Sequence, residues 1–243
     1  MCVKPLHTID VISKNMLLCI VMKRILTILL CIVALSSCSI TRYYADFTTA
    51  DAENEMALLG PVSTIYYLDS NRHEYYSDTL SVISENLITE EALWMGVPVN
   101  TVMPLDSLQR EEAMAFMDYL TVVDDKNVGS IPIPGVLDDM LEDSGYRYGL
   151  LLFATGMSRD KAGYVTQAVL GAALGVATAV LTRGAVVMYG TPLAYQSMIH
   201  AAVLDSLTNR VVYYSYDDPK EMDPVERRSV ARQLKRLLKG FIK

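Results

Sequence analysis

The sequence predicts an α/β domain, a mixed sheet of about five strands with helices packed on it, ending in a hairpin and a final helix. Three features predict it. Residues 148–155 (Y-G-L-L-L-F-A-T) form an almost unbroken apolar run, the mark of a strand covered on both faces. Residues 197–204 and 210–216 are two strand-like runs joined by the polar turn Asp205-Ser206-Leu207-Thr208-Asn209, which reads as an antiparallel hairpin. After Asp217-Asp218-Pro219, a helix starts near Pro224 with Val230, Leu234, Leu237, Leu238 and Phe241 on one face.

The earlier elements follow from local chemistry. Residues 62–68 (V-S-T-I-Y-Y-L) are β-branched and aromatic and stop at the turn-forming Asp69-Ser70-Asn71, as a first strand does. Leu80, Ile83, Leu87 and Ile88 recur at helical spacing, so residues 73–94 hold a helix that packs on that strand. Residues 97–103 read as a short edge strand because Pro98 cannot donate to a ladder. Asp106 followed by Gln109 forms a capping box and opens a helix that runs to about Leu120. Pro134 at N1 and Gly145 at C′ bracket another helix over residues 135–144.

Composition bounds the function. Of the 243 residues 51% are hydrophobic and 20% charged, which excludes fibrous and disordered classes. The formal charge of -7 repels phosphate, so no nucleic-acid partner is expected. With three His and four Cys in no ligand spacing, neither a metal nor another cofactor is expected.

The amino-terminal region carries an address. Lys23 and Arg24 precede an uncharged apolar run over residues 25–35, which ends at Leu35-Ser36-Ser37-Cys38. Eleven residues are too few for the roughly 20 that a membrane-crossing helix needs, and the arrangement is that of a secretory signal. The box Leu35-Ser36-Ser37-Cys38 resembles that of bacterial lipoproteins. The resemblance implies cleavage before Cys38 by a dedicated signal peptidase and attachment of diacylglycerol, and usually an amide-linked acyl chain, to Cys38. It implies a lipid-bilayer partner on the periplasmic side of the cell envelope. Ser39 after the cysteine favours the outer membrane over the inner one. Residues 1–21 precede a complete signal and are read as an upstream extension, with the true start at Met22. The expected organisation is a removed leader over 1–37, a lipidated tether over 38–60 and one domain over 61–243. Cys2, Cys19 and Cys31 all precede the cut, so no disulfide is expected in the remaining body. From Cys38 onward 17 basic residues stand against 27 acidic ones.

The order of elements, with the hairpin of residues 205–214 and the strand of residues 146–155, resembles the α/β domain shared by the amino-terminal part of the Tol-system β-propeller protein and by curli-secretion-type lipoproteins. That resemblance implies a role in envelope assembly, secretion or scaffolding rather than catalysis. The chain departs from the pattern by an uncharged insert before the hairpin and by the lack of a propeller.

The insert lies within an Ala/Gly-rich apolar stretch over residues 163–189. Residues 165–182 carry no charge and contain Gly171 and Gly175 as G-x-x-x-G. As a helix, Ala168, Ala172, Gly175 and Ala179 fall on one stripe that allows close backbone approach. Its length of roughly 27 Å falls just short of a hydrocarbon core. Three readings stay open: a buried or subunit-facing helix, a segment in or on the membrane, and additional strands, since residues 184–189 are strand-like. An exposed stripe would be a surface for homo-oligomerisation or a protein partner.

Little catalytic chemistry is legible. Past the leader only His73 and His200 remain, and no G-x-S-x-G elbow or phosphate loop occurs. The adjacent acids at 90–91, 111–112, 124–125, 138–139 and 217–218 diverge by about 100° on a helix and read as solvated faces. The rival to a binding role is a hydrolase using Ser158 or Asp160 with His200. One charge pattern stands out: Arg227, Arg228, Arg232, Lys235, Arg236 and Lys239 follow the last acid, Glu226. This run either complements the helix dipole and the acidic body or forms a basic patch for anionic lipid or an acidic partner. The small-residue stripe carries its own prediction: Gly175→Leu weakens self-association, and identical sedimentation of this variant and the parent chain, both without acyl groups, would contradict it.

Overall fold

The computed structural model describes residues 40–44, 47, 50, 52, 54–69, 73–159 and 194–239. The strands are β1 (Ile40–Tyr44), β2 (Met56–Leu68), β3 (Glu74–Tyr76), β4 (Thr101–Met103), β5 (Tyr148–Arg159), β6 (Tyr195–Asp205) and β7 (Arg210–Asp217). The helices are α1 (Asp78–Trp94), α2 (Ser107–Val122), α3 (Gly135–Ser144) and α4 (Arg227–Leu237), with a 3-10 turn at Asp125–Ser130. All seven strands join one sheet in the order β1-β7-β6-β5-β2-β3, and β4 also pairs with β2. Strand β2 is parallel to β5 and β4, and every other pairing is antiparallel. The α/β class therefore holds, with two more strands than expected.

Alternation along β5 explains why helices lie on both faces of the sheet. Leu150, Leu152 and Ala154 join Met56, Leu58, Ala201 and Val203 in a core under α1 and α4. Leu151 and Phe153 join Leu59, Val62, Ala202 and Leu204 in a second core under α2, α3 and the 3-10 turn. A strand apolar on both sides must be covered on both, which is why residues 148–155 read as a continuous run. Parity is kept in β2 by a bulge at Gly60-Pro61: Leu59 faces Leu151 and Val62 faces Phe153, so three steps on β2 match two on β5. Leu59 and Val62 thereby point into the same core. A Cβ on Gly60 would lie 3.2 Å from the Met103 carbonyl oxygen, so the close approach of β4 depends on glycine there.

The ends of the helices follow the sequence closely. Asp106 accepts from the Gln109 amide at 2.8 Å while the Gln109 side chain accepts from the Asp106 amide at 2.9 Å, closing the expected box. Gly145 ends α3 with φ 74°, the left-handed conformation that favours glycine, and Pro134 sits one position earlier than expected, at the cap. The hairpin turn is pinned by Asp205, whose carboxylate accepts from Arg147 at 2.9 and 3.1 Å and from Thr208 Oγ1 at 2.9 Å. Asn209 adopts φ 47° and its side-chain oxygen accepts from the Ile133 amide at 2.9 Å, tying the turn to the second core.

Three expectations need correction. Residues 40–44 of the supposed tether pair with β7, Ile40 opposite Asp217 and Tyr44 opposite Tyr213, and residues 56–60 already belong to β2. The strand expected over 97–103 is confined to Thr101–Met103. The inner face of α1 is Ser81, Ser84, Ile88, Glu91 and Ala92, whereas Ile83 is 40% exposed and Leu80 and Leu87 are half-buried.

The physical reason for that rotation is the edge of β2. Between the stretches paired with β4 and β3, its amides at Ser63 and Ile65 have no neighbouring strand. The Ser63 amide donates to Glu85 Oε1 at 2.9 Å and the Ile65 amide donates to Ser81 Oγ at 3.0 Å. Ser63 Oγ donates to Ser84 Oγ at 3.1 Å, and the Ser77 amide donates to the Ile65 carbonyl at 2.9 Å. Polar side chains of α1 thus do what a further strand would do. Glu85 also accepts from Arg110 of α2, which links the helix layers around this edge and raises the guanidinium pKa. A part-buried carboxylate with these two donors predicts that Glu85→Ala costs about 2 kcal/mol and Glu85→Gln less, measured by urea unfolding. A Glu85→Ala variant as stable as the parent would contradict this.

Candidate functional site

Cys38 with Leu35, Ser36 and Ser37, the stripe of Ala168, Gly171, Ala172, Gly175 and Ala179, and Asp160 all lie outside the described residues. The basic run of the last helix is described, and its members separate into two groups. Arg227 bridges to α1, with Nη1 2.5 Å from Glu91 Oε1 and Nη2 paired with Glu90. Arg236 pairs with Asp217, a fully buried carboxylate at the end of β7 that also lies 3.6 Å from Lys220 Nζ. These two cations fasten α4, one end to α1 and the other to the sheet. Gln233 adds a buried clasp, accepting from Ser197 Oγ at 3.0 Å and donating to the Ser197 carbonyl at 3.1 Å.

Arg228, Arg232, Lys235 and Lys239 remain exposed. The four- and three-residue spacing of Arg228, Arg232 and Lys235 places them along one outward stripe of α4, opposite the buried Val230, Leu234 and Leu237, and Lys239 follows in the turn after the helix. This stripe borders a groove of about 390 Å³ lined by Trp94, Met95, Ala231, Arg232 and Lys235. Trp94, the single tryptophan of the chain, is 80% exposed at the end of α1, and the preceding Leu93 is exposed too. An exposed indole in one groove with Arg232 and Lys235 makes an amphipathic surface that apolar periodicity along α1 alone does not reveal. Its signal in the sequence was the pair Leu93-Trp94 at a helix end, which takes meaning only once α4 is seen to pack beside it.

The pairing of Ser158 with His200 fails on geometry, and Asp160 lies outside the described residues. His200 lies opposite Phe153 and Ser158 lies opposite Tyr195, five residues apart along the ladder, or about 16 Å. An odd separation also sends the two side chains to opposite faces of the sheet. His200 is instead part of an aromatic cluster: its ring stacks on Tyr216 at 5.6 Å and on Tyr214 at 6.1 Å, and Nδ1 is 3.0 Å from the Tyr214 hydroxyl. His73 is exposed beside Asp69, with Nδ1 3.5 Å from Oδ2. The adjacent acids are also occupied structurally in part: Glu90 and Glu91 hold Arg227, Asp124 caps the 3-10 turn, and Asp217 is buried in ion pairs. No group of three His, Cys, Asp or Glu residues that could hold a metal occurs among the described residues. No helix among them is long and apolar enough to cross a membrane.

On the face that carries His200, a second cleft of about 410 Å³ is lined by residues that include Tyr66, Thr155, Met157, Gln196 and Met198. Glu74 is the one charged residue in its walls, beside the polar Tyr66, Thr155 and Gln196, and they assemble no acid, base and nucleophile together.

Burial pushes the His200 pKa down to about 4 from 6.5, so the folded protein holds the ring neutral. A folded value below the unfolded one means that the unfolded chain binds the proton first. The contribution is complete above pH 6.5 and is lost as the pH falls toward 4, by up to roughly 3 kcal/mol. His200→Gln should flatten the decline of melting temperature between pH 6.5 and 4, and a decline identical to that of the parent would rule His200 out as its source.

No protein-family model matches the chain, and no curated protein matches it. Among solved structures, it is similar to the PelC dodecamer from Paraburkholderia phytofirmans, with a TM-score of 0.41 and 6% identity over 85% of this chain and 98% of that one. A single-residue variant of that PelC dodecamer matches with a TM-score of 0.40 and 7% identity over 85% of this chain and 99% of that one.

Proposed function

We propose that the protein is a lipid-anchored component of the bacterial cell envelope that binds or scaffolds other envelope components on the periplasmic side. The observation that carries this reading is the box Leu35-Ser36-Ser37-Cys38, placed in register behind the two charges and the apolar run of a secretory signal. In this reading Cys38 is the acylated residue. Each buried methylene contributes about 0.8 kcal/mol, so two or three acyl chains hold a domain at a bilayer essentially permanently. Strand β1 begins at Ile40, two residues after Cys38, so an acylated Cys38 would hold the sheet edge itself close to the lipid rather than at the end of a long leash. Ser39 leans toward the outer membrane.

A binding role is favoured over catalysis because Ser158 and His200 point to opposite faces of the sheet, and because the acids at 90–91 and 217 are engaged in fastening α4. Self-association through Ala168, Gly171, Ala172, Gly175 and Ala179 is the proposed route to a larger assembly. Radiolabelled palmitate in a bacterial host tests the anchor: the parent chain takes up label and fractionates with membranes, and Cys38→Ala takes up none. An intact leader with a free thiol at Cys38, shown by mass spectrometry, would overturn it.

A further inference from the structure

We propose that the outward stripe of α4, with Trp94 in the groove beside it, is a docking surface for an anionic lipid bilayer. Three exposed cations, Arg228, Arg232 and Lys235, lie along one face of α4 and the exposed Lys239 follows in the next turn, with no acid after Glu226. The rest of the chain from Cys38 to Glu226 holds 10 basic and 27 acidic residues, so the stripe is the one strongly positive stretch of an acidic body. An anionic surface is attracted to this stripe and repelled by the remainder, which selects one orientation.

The apolar part selects a membrane rather than an acidic protein. Trp94 projects with 80% of its surface exposed and lines the groove together with Arg232 and Lys235. Indole rings settle at the headgroup level, where the apolar body meets the acyl boundary and the N–H stays wet. A bilayer offers a plane of negative charge directly above apolar depth, and so satisfies the cations and the projecting indole without shape complementarity. The clasp of Arg227 on Glu90 and Glu91 matters here, because it sets α4 beside the end of α1 and brings charge and indole onto one surface. This surface acts whether or not Cys38 carries lipid, so it stands apart from the anchor.

Trp94 is the only tryptophan, and its fluorescence therefore reports on this surface alone. The full chain is mixed with phosphatidylglycerol-containing vesicles and, separately, with pure phosphatidylcholine vesicles. The proposal predicts emission at shorter wavelength and loss of acrylamide quenching with the anionic vesicles only. At about 1 M salt, where the Debye length is about 3 Å, the change should reverse. Arg232→Glu combined with Lys235→Glu, both exposed and outside the Glu90, Glu91 and Asp217 ion pairs, should abolish it. Vesicles that carry the chain while Trp94 stays quenched as in buffer would overturn the proposal. So would an equal response to neutral vesicles. A wavelength shift that follows protein concentration without lipid would mean that a second copy covers the surface, and would overturn it too.

Discussion

The carboxylate of Glu85 sits where the layers of this protein meet. It accepts from the Ser63 amide on the unpaired stretch of β2 and from Arg110 on α2, while its own helix α1 supplies Ser81 to the next exposed amide. Where neither β4 nor β3 covers it, β2 would leave donors pointing at solvent or at other chains, and a bare strand edge is a template for unwanted pairing. Side chains of α1 close that edge, and in doing so they fix how α1 rolls against the sheet. The roll then decides which residues of α1 are left outside, and these include Glu90, Leu93 and Trp94.

From that orientation the placement of α4 follows. With Glu90 and Glu91 presented toward it, α1 offers two acids to Arg227, and the opposite end of α4 is held by Arg236 on the buried Asp217. The exposed Arg227–Glu90 pair contributes little to stability on its own, typically up to about 1 kcal/mol, while the pairs to Glu91 and Asp217 compensate carboxylates that are buried. Their value here is geometric, since a helix pinned near both ends cannot slide along the sheet. The buried apolar face of α4, with Val230, Leu234 and Leu237, supplies the larger part of the docking energy through burial. Cations at 227 and 236 are spent on architecture, and those at 228, 232, 235 and 239 are left facing outward.

What the amino-acid sequence makes legible depends on how local each signal is. The central strand, the hairpin, the capping box of α2 and the glycine stop of α3 are decided within a few residues, and each appears where its pattern places it. The inner face of α1 was not legible from apolar spacing, because Ser81, Ser84 and Glu91 are buried for their hydrogen bonds and ion pairs rather than for their hydrophobicity. Strand β1 (I-T-R-Y-Y) is short and stands between the lipid box and a polar stretch, so it reads as tether although its residues suit an edge strand on β7. His200 gave no sequence sign of its aromatic surroundings, which come from Phe153, Tyr214 and Tyr216 on two neighbouring strands. For the outward surface, the cationic run was plain, but its division into fasteners and free charges required knowing which acids faced it.

The fold depends on α1 acting as the closing element of the β2 edge. Amide hydrogen exchange at Ser63 and Ile65 tests it most directly, because neither amide faces a strand and each is held only by a side chain of α1. Closure by α1 predicts protection at both positions comparable to that of the β5 amides, lost together when Ser81 and Glu85 are both replaced by alanine. Exchange at the rate of an open sheet edge in the unaltered protein would contradict it.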